Sequence, residues 1–370
     1  MCAFFSYIIS AQDMSTRLIE IAQKTGFSVS TVSRVLHDQS NKYKISDKTK
    51  HTIRKTAAAL GYRPNNLARG LRLKQTHEIG IVVPDISNPF FATLVKSMAG
   101  ELRKSGYSII VCDSDENTAI EQESIQLLLD KRVDGLIVAA VGLENSHLKK
   151  FEKNRIAFVS IDRCPADLSV DMVSVDNVRG AYLAVQYLIK EGHQRIAFIQ
   201  GLPGTHVNKE RLRGYTQALT EAAIGVEEKF VVGDDFRTYN GYLETKLLLK
   251  LDEPPTAIFT ASDLIALGAL EALKEDGRRI PHDIALVTFD DPSFATYLSP
   301  ALTAVAQPVE KMGEMAVKLL LRRMQTPLGE PRSILLEPHL VIRDSVTRIS
   351  PPSAVKAPLH HVNVFPNGKE

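Results

Sequence analysis

Two apolar runs of this sequence end on carboxylates, Asp162 in SIDR and Asp290 in TFDD. A third run ends in PDISNPFF, which sets Phe90 and Phe91 side by side. Carboxylates make directional hydrogen bonds to hydroxyl groups and aromatic faces pack on sugar rings or bases, so these residue types fit a small polar ligand. They do not form catalytic machinery. Asp290 and Asp291 are adjacent, and neighbouring residues on a strand point to opposite sides, so they are not an acid–base pair. No GxGxxG follows the first apolar run, and there is no GxxxxGK(S/T), GxSxG, HExxH or CxxC pattern. His360 and His361 fall in a Pro-rich end segment, and Cys2, Cys112 and Cys164 have neither metal-ligand spacing nor the even number of a disulfide framework. An enzyme, a cofactor and a metal site are therefore not expected.

The net charge of +2 conceals an uneven distribution. From Met14 to Thr76 there are thirteen Lys and Arg against Glu20, Asp38 and Asp47, a local charge of +10, which leaves −8 for the rest. A basic head on an acidic body is what a polyanion-binding module attached to a non-binding body looks like, although a solvated charged face gives the same count. The opening CAFFSYII run is too short to span a bilayer and has no preceding positive charge, so neither an export signal nor an anchor is expected. The expected setting is a reducing cytoplasm. Residues 1–13 read as an extension, with Met14 an alternative start.

Residues 18 to 60 read as three short helices. Leu18, Ile21 and Ala22 mark the first. Gly26 permits the turn, Ser28 caps a second helix with Val32, Val35 and Leu36 inward, and Ser46 caps a third carrying Ile53, Ala57 and Leu60 up to Gly61. The stretch GYRPNNLARGLRLKQT has too few apolar residues to bury itself, so a helix there would need a partner. Beyond Thr76, short apolar runs alternate with amphipathic stretches, which predicts parallel sheets joined by helical crossovers. The runs are too numerous for one open sheet, and the order repeats on either side of Asp176, so two similar lobes with a cleft are expected. Residues 350–370 read as a disordered tail.

The segments GFSVSTVSRVL, ALGYRPNNLARGL and IGIVVPDISNPFF, in series, resemble the lactose-repressor and galactose-repressor (LacI/GalR) family, over about Thr16 to Val346. The resemblance implies an N-terminal all-α helix-turn-helix head at 14–62, a hinge helix and linker at 63–76, and an effector-binding core at 77–349. That core is an α/β two-lobed structure with parallel sheets, like periplasmic binding proteins. Its chain crosses between lobes three times, with the N-lobe at about 77–176 and 305–333 and the C-lobe at about 177–304 and 334–349.

The same resemblance places the second helix in the DNA major groove. Val29 and Ser30 then face bases, Ser33 lies near them, and Arg34 meets a guanine edge or a phosphate. Val29 can read only a thymine methyl or shape, unless it belongs to the helix core. Ser28 and Thr31 are positioning groups, and for Thr31 and Ser33 capping or phosphate contact competes with base reading. In HDQSNKYKIS, longer than the family's usual connection, Lys42, Tyr43 and Lys44 either touch phosphates or form a solvated loop. Leu71 sits where the family places a leucine wedge in the minor groove, flanked by Asn65, Ala68 and Arg69 on the sugar-phosphate backbone; packing on the core is the alternative.

For the effector, the resemblance implies contacts from Arg211, Phe236, Asp263 and Asp290, with Asp162 in second rank and Phe90 and Phe91 at the first strand end. Asp263 also suits a helix N-cap, and Phe91 also suits a core. Thr205, His206 and Val207 stand where purine-responsive relatives place an arginine nearby, so a sugar or sugar derivative is favoured, while Arg211 also permits a phosphorylated or carboxylated ligand. A homodimer on a pseudo-palindromic operator is expected, with no membrane partner. The alternatives are a solute-binding protein without DNA activity and an α/β enzyme.

Overall fold

The structure, a computed structural model, describes residues 11–36, 43–62, 75–142, 145–152, 156–165 and 167–349, with side chains from residue 18 onward. The chain divides into two compact units. The first holds the described residues up to Glu78 together with Leu129–Asp134, and the second holds the remainder.

In the first unit three helices form, α1 (Ala11–Thr25), α2 (Val29–Leu36) and α3 (Asp47–Ala59). Gly26 takes the left-handed φ of +73° that ends α1. Ser28 Oγ accepts the Thr31 N–H at 3.2 Å at the start of α2, and Ser46 Oγ accepts the Thr49 N–H at 3.3 Å at the start of α3. Ile21, Ala22, Val32, Val35, Ile53, Ala57 and Tyr62 meet in a small core, against which Leu18, Phe27 and Leu60 pack. Each large apolar side chain buried there contributes about 1.5–3 kcal/mol. With so little core the head is a marginal module, so its exposed face is open to sequence change only where packing does not depend on it. Thr76 and His77 donate their N–H groups to the two oxygens of Asp134, at 2.8 and 2.9 Å, which ties the end of this unit to Leu129–Asp134.

The second unit has two lobes. In the first, β1 (Glu78–Val83), β2 (Ser108–Asp113), β3 (Gly135–Val138), β4 (Ala157–Ile161), β5 (Asp171–Val175) and β11 (Ser333–Leu336) form one sheet in the order β11-β5-β4-β3-β1-β2. The helices α4 (Pro89–Lys104) and α5 (Thr118–Asp130) belong to this lobe. In the second lobe, β6 (Ile196–Ile199), β7 (Val231–Val232), β8 (Ala257–Thr260), β9 (Ala285–Phe289), β10 (Thr303–Ala306) and β12 (His339–Val341) follow the matching order β12-β10-β9-β8-β6-β7. Its helices are α6 (Asn177–Lys190), α7 (His206–Glu221), α8 (Thr238–Leu248) and α9 (Asp263–Glu275). Registers run parallel through β1, β3, β4, β5 and β11 and through β7, β6, β8, β9 and β10, while β12 runs antiparallel to β10. The central strands are apolar without alternation because helices cover both faces.

The chain crosses between lobes after β5, again between β10 and α10 (Val309–Gln325), and finally between β11 and β12. Helix α10 returns to the first lobe, where Met312, Ala316, Val317 and Leu320 join Ile79, Leu94 and Met98. Two boundaries of the expected lobes are therefore corrected. Thr303–Ala306 belongs wholly to the second sheet, and Ser333–Leu336 to the first, so the crossings fall at 307–308 and 337–338 rather than near 305 and 333. The reason is strand pairing: β11 satisfies the edge of β5 through Ile334 beside Val173 and Leu336 beside Val175, and this pairing outlasts the turn.

Candidate functional site

The cleft between the lobes is built from strand ends, as open parallel sheets require. After β1, Asn88 Oδ1 accepts the Phe90 N–H at 2.8 Å, which starts α4 and fixes Phe90 and Phe91 edge to face, their centroids 5.1 Å apart. Both rings line the cleft and both also belong to the first lobe's core. After β4 comes Asp162, and after β9 comes Asp290. These strands hold the same place in the two sheet orders, and both aspartates have left-handed φ angles, 62° and 72°. Such a conformation costs about 1–3 kcal/mol for a non-glycine residue and persists where the surroundings enforce it.

From the second lobe, Arg211 on α7 donates through Nε to Asn177 Oδ1 at 2.9 Å and through Nη1 to the Ala261 carbonyl at 2.5 Å, and its guanidinium lies 3.7 Å over the Phe289 ring. Asp290 Oδ1 accepts from Gln307 Nε2 at 2.6 Å. Phe236 closes against Gly201, where a Cβ would stand 2.1 Å from the ring, so only glycine fits. Asn208 Oδ1 accepts the Gly201 N–H at 2.9 Å and holds that approach. Arg163 lies between the lobes' aromatic residues, its guanidinium 5.5 Å from the Phe91 centroid and 4.6 Å from that of Phe236, and it pairs with both oxygens of Glu116 at 2.5 and 2.8 Å.

Asp263 is not the cap of α9. Ser262 occupies that position, its Oγ accepting the Ile265 N–H, and Asp263 follows it, buried and facing Asp290 electrostatically.

Burial raises the Asp162 carboxyl to about 6, against the pull of Arg211 and Arg163. Burial and then the charge of Asp290 raise Asp263 to about 7. Asp290 is raised by burial too, with Arg211 and the Gln307 hydrogen bond opposing. Arg211 is lowered by burial despite Asp290 and Asp162, while for Arg163 burial lowers it but the carboxylates of Glu116, Asp162 and Glu121 together prevail and raise it. Asp162 Oδ1 and Gln307 Oε1 are buried acceptors that find no protein donor among the described residues. The cavity enclosed by Asn88, Phe91, Asp162, Arg163, Arg211, Phe236 and Asp290 measures about 20 Å³, and a space of about 300 Å³ adjoins it through Phe90, Asp290 and Gln307. Buried acceptors, guanidinium donors and aromatic faces line this space together, a lining suited to a compact polar ligand, although the enclosed part as it stands has room for about one water.

In the head, Val29 is 41% exposed and lies outside the core, beside exposed Ser28 and Ser30. The hydroxyls are tied locally: Ser28 Oγ stands 2.9 Å from Ser30 Oγ and 2.8 Å from Thr31 Oγ1. Arg34 is half-buried, with its guanidinium 4.0 Å over the ring of Tyr43, which fixes a donor fork beside the exposed face of α2. Ser33 is half-buried, and Lys44 is exposed with φ of 51°. Lys42, Asn65, Ala68, Arg69 and Leu71 lie outside the described residues.

Sequence reasoning missed Asn88, Glu116, Arg163, Asn177, Asn208 and Gln307. Asn88 ahead of Pro89 was readable as a cap, and Arg163 stands next to Asp162; the other four carry no local signal.

Residues 17–65 match the model described as bacterial regulatory proteins, lacI family, and residues 185–346 match a periplasmic binding protein-like domain. The chain is similar to the ribose operon repressor of Haemophilus influenzae, 33% identical over 332 residues, which cover 88% of this chain and 97% of that protein. It is similar in structure to a LacI family transcriptional regulator from Enterococcus faecium with bound ribose, 31% identical with a TM-score of 0.66, covering 74% of this chain and all of that one. It is also similar to the lac repressor dimer bound to operator and the anti-inducer ONPF, 27% identical with a TM-score of 0.77, covering 89% and 98%.

Proposed function

Because the chain belongs to the lacI family of bacterial regulatory proteins, and is a DNA-binding transcriptional regulator with a two-lobed effector core, we propose that it is a repressor controlled by a monosaccharide of about ribose size. The observation that carries this reading is the buried set Asp162, Arg163, Arg211 and Asp290 packed among Phe91, Phe236 and Phe289. A carboxylate and a guanidinium each grip two neighbouring hydroxyls at fixed spacing. The competing reading, a purine base, needs a flat slot between aromatic rings. Arg163 stands over both Phe91 and Phe236, which favours the sugar. The ribose-bound relative and the ribose operon repressor support the same class.

On the DNA side, Val29 and Ser30 read bases, Arg34 meets a guanine edge or a phosphate, Ser28, Thr31 and Ser33 position the helix, and Tyr43, Lys44 and Lys42 flank the backbone. Leu71 is the minor-groove wedge, with Asn65, Ala68 and Arg69 beside it. The operator-bound dimer of the lac repressor supports a homodimer on a pseudo-palindrome. The sugar acts by its differential affinity for two lobe arrangements, which changes how the paired heads present themselves to DNA. The relatives are regulators, and we assign this chain no catalytic role and a cytoplasmic site of action; among the described residues no helix is long and apolar enough to cross a membrane.

Calorimetric titration of the full chain with ribose, glucose, adenosine and hypoxanthine tests the reading, alongside selection of bound sequences from random duplex DNA. Ribose or a close pentose should bind and alter the affinity for the selected operator. Binding of the purines alone would overturn the sugar assignment, and absence of any selected duplex would overturn the regulator assignment for this chain.

A further inference from the structure

The connection between β2 and α5 is anchored at both ends. Asp113 Oδ2 accepts the Ile86 N–H at 2.6 Å and its Oδ1 the Asp115 N–H at 2.8 Å, while Asn117 Oδ1 accepts the Ala119 N–H at 2.8 Å where α5 begins. Between these anchors Asp115 and Glu116 are both left-handed, with φ of 47° and 54°. Consecutive left-handed non-glycine residues are costly, and such strain persists where a particular side-chain direction is enforced. Here two adjacent carboxylates part company. Glu116 turns inward to grip both Nη1 and Nη2 of buried Arg163. Asp115 crosses to the second lobe, where its Oδ1 accepts from Arg237 Nη2 at 2.9 Å. Arg237 immediately follows Phe236, the ring that Arg163 faces at 4.6 Å. One strained dipeptide of the first lobe thus meets one dipeptide of the second through two neighbouring contacts, one lining the cleft and one at its rim.

We propose that Asp115 and Glu116 form a closure latch: Glu116 is a positioning residue that holds Arg163 in the pose the sugar meets, and Asp115 secures the closed lobes through Arg237. The proposal rests on the sugar reading of the cleft and adds the device that retains the ligand. The two arms differ in strength. Glu116 neutralises a buried guanidinium, whereas Asp115 and Arg237 are 76% and 56% exposed and screened by salt. The first arm therefore governs affinity, and the second governs how long the lobes stay shut.

The test uses the full chain carrying a donor and an acceptor dye on opposite lobes, with D-ribose as the probe. Glu116→Gln should weaken ribose binding about tenfold, because one of the two acceptors for Arg163 becomes an N–H donor and the other belongs to a neutral amide. Salt should speed ribose dissociation from the parent, and Arg237→Ala and Asp115→Asn should each speed dissociation about threefold, leave association unchanged and abolish that salt response. Without ribose, both variants should show a wider inter-lobe distance at low salt than the parent. The exchanged pair Asp115→Arg with Arg237→Asp should restore slow dissociation, a rescue that a merely structural loop would not give. Unchanged affinity in Glu116→Gln overturns the positioning arm. Parental dissociation, salt response and distance in both Arg237→Ala and Asp115→Asn overturn the latch. If the parent binds no ribose, the sugar reading fails, and the ligand-free distances still decide the latch.

Discussion

On α2 the hydroxyls of Ser28, Ser30 and Thr31 lie at the surface and bond mainly to one another, and Val29 faces outward. In the cleft, Arg163, Arg211 and Asp290 are buried and hydrogen-bonded to partners elsewhere in the chain, while the buried Asp162 Oδ1 finds no donor among the described residues. The small core of Ile21, Val32, Val35 and Ile53 forms without the exposed groups proposed to meet DNA, of which only Ser28 also serves the fold by capping α2. The cleft cannot separate recognition from folding. A buried charge must be paired in the folded protein whether or not a ligand arrives, so its lining is organised in advance by the fold. Substitutions in the head should change DNA binding at little cost in stability, while those in the cleft should change both ligand response and stability.

The largest effect expected from this contrast is at Asp290. Asp290→Ala removes a charged acceptor and leaves Arg211 with one fewer counter-charge, so sugar affinity should fall about 100-fold, on the scale of two charge-assisted hydrogen bonds. Operator affinity without sugar should stay within about twofold, inside the range of neutral surface changes. Calorimetry and a mobility-shift titration read the two quantities, and a sugar response retained by this variant would place the effector site elsewhere.

A smaller effect belongs to Arg34. Arg34→Ala should lower operator affinity about tenfold, with preference relaxed at one base position if the guanidinium reads guanine, or uniformly across sequences if it meets phosphate. The melting temperature should move little, because the Tyr43 stack is half-exposed. Unfolding of the head by this one change would erase the distinction between recognition and packing.

The smallest effect is in pH. The folded core holds Asp162 at about 6 and Asp263 at about 7, whereas an unfolded aspartate titrates near about 3.9. Between about pH 4 and 7 the folded state therefore keeps protons that the unfolded state has released, and the contribution of these groups to stability falls as pH rises through that window and is constant above it. Melting curves of the parent and of Asp263→Asn across that range measure this fall, and the variant should show the weaker decline. Equal slopes would mean that Asp263 is ionised throughout.

Much of this organisation was legible along the chain. Apolar spacing marked the three head helices, Gly26, Ser28 and Ser46 marked their turns and caps, and unalternated apolar runs marked the parallel strands. The short strands β10, β11 and β12 were not legible, because Thr303–Ala306, Ser333–Leu336 and His339–Val341 are too brief to show a period, and their pairing rather than their composition makes them strands. The cleft followed the same division. Asp162, Asp290, Phe90 and Phe91 stood at strand ends where a ligand site belongs. Their partners did not: Arg163 finds Glu116 47 residues away, and Arg211 finds Asn177 34 residues away.

The amino-acid sequence by itself settled the head helices, the longer parallel strands and where the positive charge lies, since these depend on local periodicity, capping and count. Only the tertiary structure decided that Asp263 yields the cap of α9 to Ser262, that the third crossing waits until 337–338, and that Glu116 and Asp115 point to different lobes. Those outcomes follow from pairing and burial between residues far apart in the chain, where a charge taken out of water must find whichever partner the fold delivers.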